Sequence, residues 1–495
     1  MGAKRGHELH KNRNEHLNAR RFALPWCVSI PLLVAVAIFL LAACGSASGD
    51  PLLVTPNIVY ITATEPGAAF EIIPLTATDP VPTPNVVFIT ATPPPSSTSL
   101  LAPTDQPASA TAPVVLADTP AEVEFALPPV VQHVTKDTAW LFFELSAPSP
   151  GVVLYWPTDN PARQASAPLL PEVTRQQIVL EELEAGLEYQ VIVALGPDAS
   201  GLYHQAMYWG QFWDPISFRA ASEREPLHVG VFGDSGFGGQ ETFNLAAEMA
   251  TYDLDFVIHT GDTVYNVDEN PDPYEAFARK WYLPLAPLLR TMPIYPVVGN
   301  HDVEAATLWQ GMPFYYHAFP PFADPLLGSS AYEGRNQWYA FAYGDVQFLM
   351  LDTQTFFGEG GYNAQQAWLN ERLADSRFAY TVPVFHVAPY TSGRHVRDGE
   401  PIRMMWVPQF EAASVPLVLS GHDHNYERLI ANGVTYVVSG GGSGTLYAQS
   451  RTLPESQVFA RSTHFVLLEI YADRIELRAI ALGGEELDRV TIPLP

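Results

Sequence analysis

The chain has 495 residues, a formal net charge of −27 and 47% hydrophobic residues. That length leaves room for two or three domains and a sizeable core. The acidic balance excludes a basic nucleic-acid groove and gives an anionic substrate no long-range attraction, so a phosphate site here needs its own positive charge, as bound metal ions supply.

The two cysteines, Cys27 and Cys44, precede the first segment expected to fold. A disulfide framework, a thiolate zinc site and a cysteine nucleophile are therefore excluded. A basic stretch with Lys4, Arg5, Lys11, Arg13, Arg20 and Arg21 leads into an apolar run over 22–41, followed by small residues. Leu41-Ala42-Ala43-Cys44-Gly45 resembles the bacterial lipobox. That resemblance implies a lipoprotein signal peptide over 1–43, a lipid on Cys44, and an extracytoplasmic chain anchored to the bacterial cell surface or membrane. The other reading is an uncleaved signal anchor, and the 17 residues of 25–41 are marginal for spanning.

Residues 44–121 are rich in Pro, Thr, Ala and Ser. They carry an imperfect repeat: 55–64 reads Thr-Pro-Asn-Ile-Val-Tyr-Ile-Thr-Ala-Thr and 83–92 reads Thr-Pro-Asn-Val-Val-Phe-Ile-Thr-Ala-Thr. The Pro density predicts a disordered, extended tether that reaches roughly 200 Å at ~3.1 Å per residue.

Over 122–222 short β-rich runs at 139–145, 152–156, 177–180 and 189–195 are divided by Pro, Gly and Asp. In the last, Tyr189, Val191, Val193 and Leu195 share one face, the period of a half-buried strand. About 100 residues of this kind suit a small all-β sandwich, and the segment 183–189 resembles the turn before the tyrosine corner of fibronectin type III domains. The acidic trio Glu181, Glu182 and Glu184 reads as a solvated face.

Over 223–495 strand-like runs alternate with helical patterns at 243–251, 274–281 and 365–373, which predicts an α/β architecture. Trp368 in the last pattern reads as core. What matters is how the strands end. The run 228–232 leads into Gly233-Asp234-Ser235-Gly236, and 256–260 into Gly261-Asp262-Thr263-Val264-Tyr265. The run 294–298 leads into Gly299-Asn300-His301-Asp302, 382–385 delivers His386, and 416–420 delivers Gly421-His422-Asp423-His424. Each alone is an ordinary turn or a lone histidine. Together they predict donors converging at strand carboxyl ends, and carboxylate, amide and imidazole groups without thiolates suit Fe, Zn or Mn. The glycine run 439–444 lacks the Lys and Ser/Thr of a phosphate-binding loop and reads as a close-packed turn.

These five blocks, in this order, resemble the calcineurin-like metallophosphoesterases. The Tyr of the second block, the string 421–428 (Gly-His-Asp-His-Asn-Tyr-Glu-Arg), 386–390, His395 and 398–403 are similar to the purple acid phosphatase branch. The resemblance covers about 123–495. It implies an α/β metallophosphoesterase domain (a β-sandwich core flanked by helices) after a fibronectin-III-like one. It further implies a ferric ion on Asp234, Asp262, Tyr265 and His424, and a divalent Zn, Fe or Mn on Asp262, Asn300, His386 and His422. Asp262 would bridge the two, and His301 and His395 would bind the phosphate or protonate the leaving oxygen. The implied reaction is hydrolysis of a phosphate monoester by a metal-activated hydroxide, with no phosphoenzyme. A phosphodiesterase or nucleotide-degrading enzyme on the same scaffold shares every ligand, and a non-catalytic surface-binding protein is the alternative from another class.

Overall fold

The computed structural model describes residues 114–213, 215–222, 224–265, 272–304, 308–309, 312–319, 323–324, 328–329, 338–358 and 361–494. They lie in the second of two compact units, Thr104–Pro495. The expected leader, Cys44 and both repeats lie outside the described residues. Val115 and Ala117, counted above as tether, exchange backbone hydrogen bonds with Tyr203 at 2.9 and 2.8 Å. Residues 114–118 contain no proline, so they keep the N–H groups that such pairing needs.

Two antiparallel sheets follow. One runs in the order Phe125–Gln132, Ala139–Leu145, Arg175–Leu180; the other in the order Ile216–Arg219, Glu188–Leu195, Gly151–Pro157, Ala165–Pro168. Their facing side chains, among them Leu141, Phe143, Val153, Val191 and Val193, are fully buried. The Glu184 N–H donates to the Tyr189 hydroxyl at 2.8 Å, which pins the turn before that strand. Glu181, Glu182 and Glu184 are exposed.

The remaining chain builds two larger sheets that pack face to face. The six-stranded sheet runs Ile294–Pro296, Phe256–His259, Leu227–Phe232, His464–Ile470, Arg474–Ala481, Glu486–Pro493. The seven-stranded sheet runs Tyr339–Tyr343, Val346–Met350, Tyr380–Val387, Leu417–Gly421, Val434–Ser439, Tyr426–Ala431, Ser456–Ala460. Val229, Val231 and Ile258 of the first meet Phe348, Val384, Leu419 and Val437 of the second in one buried cluster. Strands covered on both faces are apolar without alternation, as in Phe256–His259.

Helices cover the outer faces. Leu245, Ala246 and Met249 of the helix Gln240–Met249 pack beside the six-stranded sheet. Leu369, Ile402, Trp406 and Phe410 pack on the seven-stranded one, with Trp368 half-buried against them. The pattern 274–281 forms a short α-turn, Pro273–Phe277, that widens into a π-turn over Ala278–Tyr282. There the buried Lys280 ammonium donates to the Tyr265 carbonyl at 2.6 Å.

The small sandwich and the larger domain share one apolar cluster, in which Trp213 and Phe218 join Trp281, Tyr282 and Phe314. Polar links reinforce it. Tyr274 Oη donates to Glu144 at 3.1 Å, and the Ser217 N–H to the Arg290 carbonyl at 2.7 Å.

Candidate metal centre

Parallel pairing decides where the donors go. The strands ending at Phe232, His259 and Pro296 run parallel in one sheet, and those ending at Met350, Val387, Gly421 and Ser439 run parallel in the other. Both sets therefore release the chain at one common edge. Asp234, Asp262 and His422 leave their strands with φ of +57°, +56° and +70°. Non-glycine residues there carry about 1–3 kcal/mol of strain each, which persists where the surroundings enforce it. Neighbouring glycines make room: a Cβ on Gly299 would come 2.2 Å from Asp262 Oδ1, and one on Gly421 2.5 Å from Asp234 Oδ2.

All seven expected ligands meet. His386 Nε2 lies 3.0 Å from Asn300 Oδ1, 3.3 Å from Asp262 Oδ2 and 3.2 Å from His422 Nδ1. Tyr265 Oη lies 3.1 Å from Asp234 Oδ1 and 3.0 Å from His424 Nε2, itself 3.5 Å from Asp234 Oδ1. The far side of each imidazole fixes which nitrogen faces inward. His386 Nδ1 donates to the Thr260 carbonyl at 2.9 Å and His424 Nδ1 to the Thr445 carbonyl at 2.6 Å. His422 Nε2 donates to Asp398 Oδ2 at 3.0 Å. The atoms His386 Nε2, His422 Nδ1, Asp262 Oδ2 and Asn300 Oδ1 are thus turned toward one another, a set of nitrogen and oxygen donors that a metal ion could take. Such a cluster fits a cation.

The electrostatics point the same way. Burial, followed by the neighbouring Asp262, pushes the Asp234 carboxyl well above the usual range, and burial, followed by Asp234, does the same to the Tyr265 phenol. Burial disfavours a charged His386, yet Asp262 and Asp234 override it and raise that imidazole to about 10. Asp262 is held low against its own burial by His386. In the protein alone a proton on His386 is what offsets the two carboxylates, which marks where positive charge is wanted. His424 is depressed to about 4 by burial, as suits a neutral ligand.

His301 and His395 sit on the rim, half-buried. The His301 ring packs against Tyr265 at 4.6 Å, with Nδ1 2.7 Å from Glu304. The His395 ring lies 4.1 Å from that of His422, with Nδ1 3.0 Å from Asp398 Oδ2. Phe237 stacks on Tyr265 at 4.2 Å and Tyr447 on His424 at 4.2 Å.

Sequence reasoning assigned no role to three supporting carboxylates. Asp302 accepts from the N–H groups of Asp262, Thr263 and Gly299 and from Thr263 Oγ1. Asp423 accepts from Thr391 Oγ1, Arg394 N and His395 N. Asp398 joins His395 to His422. The first two stand inside the quoted blocks, directly after His301 and between His422 and His424; a buried carboxylate beside a ligand was the available signal. The glycine run is close-packed as expected: a Cβ on Gly442 would come 2.3 Å from the Gly233 carbonyl.

Residues 227–426 match the family model of the calcineurin-like phosphoesterases. Purple acid phosphatase 21 of Arabidopsis thaliana is 27% identical over 226 residues, covering 44% of this chain and 48% of its own. An uncharacterized protein of Mycobacterium tuberculosis is 26% identical over 276 residues, covering 50% and 51%. Among solved structures, the purple acid phosphatase PPD1 from yellow lupin (Lupinus luteus) seeds aligns with a TM-score of 0.57 at 18% identity, over 74% of each chain. The fold is thus a metallophosphoesterase fold. The chain carries a calcineurin-like metallophosphoesterase domain, with purple acid phosphatases among its homologues. It spans about half the length of the curated relatives it matches.

Proposed function

We propose that the protein hydrolyses phosphate monoesters at a two-metal centre formed by Asp234, Asp262, Tyr265, Asn300, His386, His422 and His424. The observation that supports this reading is the meeting, at one edge of both sheets, of carboxylate, amide and imidazole donor atoms within 3.0–3.3 Å of His386 Nε2. The resemblance divides the set into a ferric half, Asp234, Asp262, Tyr265 and His424, and a divalent half, Asp262, Asn300, His386 and His422, for Zn, Fe or Mn. When bound, the two ions supply an acidic water and the positive charge that offsets the phosphoryl oxygens.

The chain's own groups orient the ester and move its protons. His301, tied through Nδ1 to Glu304, keeps Nε2 for a phosphoryl oxygen. His395, tied through Nδ1 to Asp398, keeps Nε2 to protonate the leaving oxygen. Asp398 accepts from both His395 and His422, so ligand and proton donor move as one unit.

In the same reading residues 1–43 are a signal peptide and 44–121 a tether from a lipid on Cys44. A fibronectin-III-like domain at 122–222 then precedes the phosphoesterase domain at 223–495, outside the cytoplasm. The sheet order and the Tyr189 hydroxyl accepting from Glu184 support the fibronectin likeness.

Paired rates on p-nitrophenyl phosphate and bis(p-nitrophenyl) phosphate test the substrate class. Faster release from the monoester is expected. A faster diester would transfer the site to phosphodiester or nucleotide chemistry, and a protein that binds no metal when metals are supplied and turns over neither ester would favour a binding role.

A further inference from the structure

Beside the metal centre lies an open pocket of about 410 Å³, lined by Arg394, Arg397 and Arg451 together with His395, Asp398 and Ser450. Three arginines lining one pocket are unexpected in a chain of net charge −27. Several other arginines hold carboxylates: Arg224 holds Asp253 and Asp255, Arg428 holds Asp488, and Arg489 holds Glu486. Among the described residues no carboxylate lies within ion-pair distance of Arg394, Arg397 or Arg451. The pocket's one carboxylate, Asp398, is occupied by His395 and His422. The lining therefore carries three cations against one already engaged anion.

Its backbone is held firmly. The Ser450 and Arg451 N–H groups donate to the Ser392 carbonyl at 2.8 and 3.2 Å, and the Ser450 hydroxyl to the Gly393 carbonyl. The Arg394 N–H donates to the buried Asp423 at 2.7 Å, and its guanidinium lies 5.1 Å over the Tyr447 ring. Three arginines at one pocket, none with a carboxylate partner among the described residues, suit an anion. The planar fork of arginine suits a phosphate better than an ammonium would.

We propose that this pocket is a second anion site that takes a phosphate carried by the leaving group. The preferred substrates are then esters with two phosphates, of which one is hydrolysed. The inference rests on the phosphoesterase reading and deepens it. His395 belongs to both places: it lines the pocket, and its ring stands 4.1 Å from His422. Water attacks the phosphorus and the bond to the leaving oxygen breaks. His395 gives that oxygen its proton, and the products are inorganic phosphate and a phosphorylated alcohol that the arginines had positioned.

The test compares kcat/KM of the metal-loaded full chain for fructose 1,6-bisphosphate, fructose 6-phosphate and p-nitrophenyl phosphate. It uses the wild type, Arg397→Ala, Arg451→Ala and the double variant, each with its thermal midpoint. The wild type is expected to favour the bisphosphate over the monophosphate by at least about tenfold, the scale of one charge-assisted hydrogen bond. The double variant should erase that preference while p-nitrophenyl phosphate hydrolysis changes by less than about threefold, as for an exposed charge removed at a distance. Equal rates on both sugar phosphates in the wild type would overturn the second site and leave the phosphoesterase reading standing. So would an equal loss on all three substrates in the variants, which marks a structural role. A wild type inactive on all three would remove the parent reading and this inference together.

Discussion

In the proposed centre Asp262 would serve both halves. One carboxylate oxygen lies 3.3 Å from His386 Nε2, and the other accepts the His301 N–H at 3.0 Å. Its left-handed backbone is held by Asp302, which accepts the Asp262 N–H at 3.1 Å. Strand-end spacing made the donors legible, because a residue directly after a buried strand has few places to go. The supporting carboxylates were less legible because their partners come from other segments: Asp423 holds residues 391–395. Asp398 belongs to a loop after a different strand from that of His422, and only the fold joins them. A proton-donor role for His395 makes a specific prediction. His395→Ala should lower kcat about 100-fold on alkyl phosphates, whose leaving oxygen needs a proton, and far less on p-nitrophenyl phosphate, whose phenolate leaves unaided. Equal losses on both, measured by phosphate release, would assign His395 to phosphate binding.

At the scale of elements, the two sheets aim their carboxyl ends at one edge, and the turns there are packed to contact. A methyl group on Gly421 would meet Asp234 Oδ2 at 2.5 Å and Thr260 Oγ1 at 2.7 Å. Gly421→Ala should therefore displace a ligand rather than unfold a strand. Metal content is expected to fall below two per chain and kcat/KM by about 100-fold or more, the usual cost of a misplacement near 1 Å. Full metal content with full activity would show that the turn relaxes freely. Periodicity revealed the strands that end in donors and three helical patterns, but not the C-terminal strands such as His464–Ile470 and Arg474–Ala481, nor which strands face one another. A continuously buried run such as Phe256–His259 reports burial on both faces and says nothing of its neighbours. The π-turn at Ala278–Tyr282 was likewise hidden, since Lys280 reaches back to the Tyr265 carbonyl across 15 residues.

At the scale of the whole molecule, acid stability follows from histidines buried as neutral groups. His464 is pushed down to about 4 by burial, with Nδ1 donating to the Ser462 carbonyl at 2.8 Å. His259 is pushed down to about 3 by burial. In the unfolded chain both titrate near 6.5. Above that value neither state takes a proton and stability is flat. Below it the unfolded chain binds protons that the folded one refuses, so stability falls as pH drops from 6.5 toward 4, by up to about 1.4 kcal/mol per pH unit for each histidine. Urea midpoints across that window should fall less steeply for His464→Gln than for the wild type; parallel curves would remove His464 from the account. Acid activity in such a chain would have to coexist with declining stability, unless bound metals compensate by mass action.

The most direct test of the two-metal centre is metal content and p-nitrophenyl phosphate turnover of the full chain supplied with iron and zinc, wild type beside Asp262→Asn. The account predicts two ions per chain and steady turnover for the wild type. The variant, in which one Asp262 carboxylate oxygen is replaced by an amide nitrogen, should lose metal and at least about a thousandfold in kcat/KM. A wild type that binds no metal, or an Asp262→Asn variant that turns over at the wild-type rate, would contradict it.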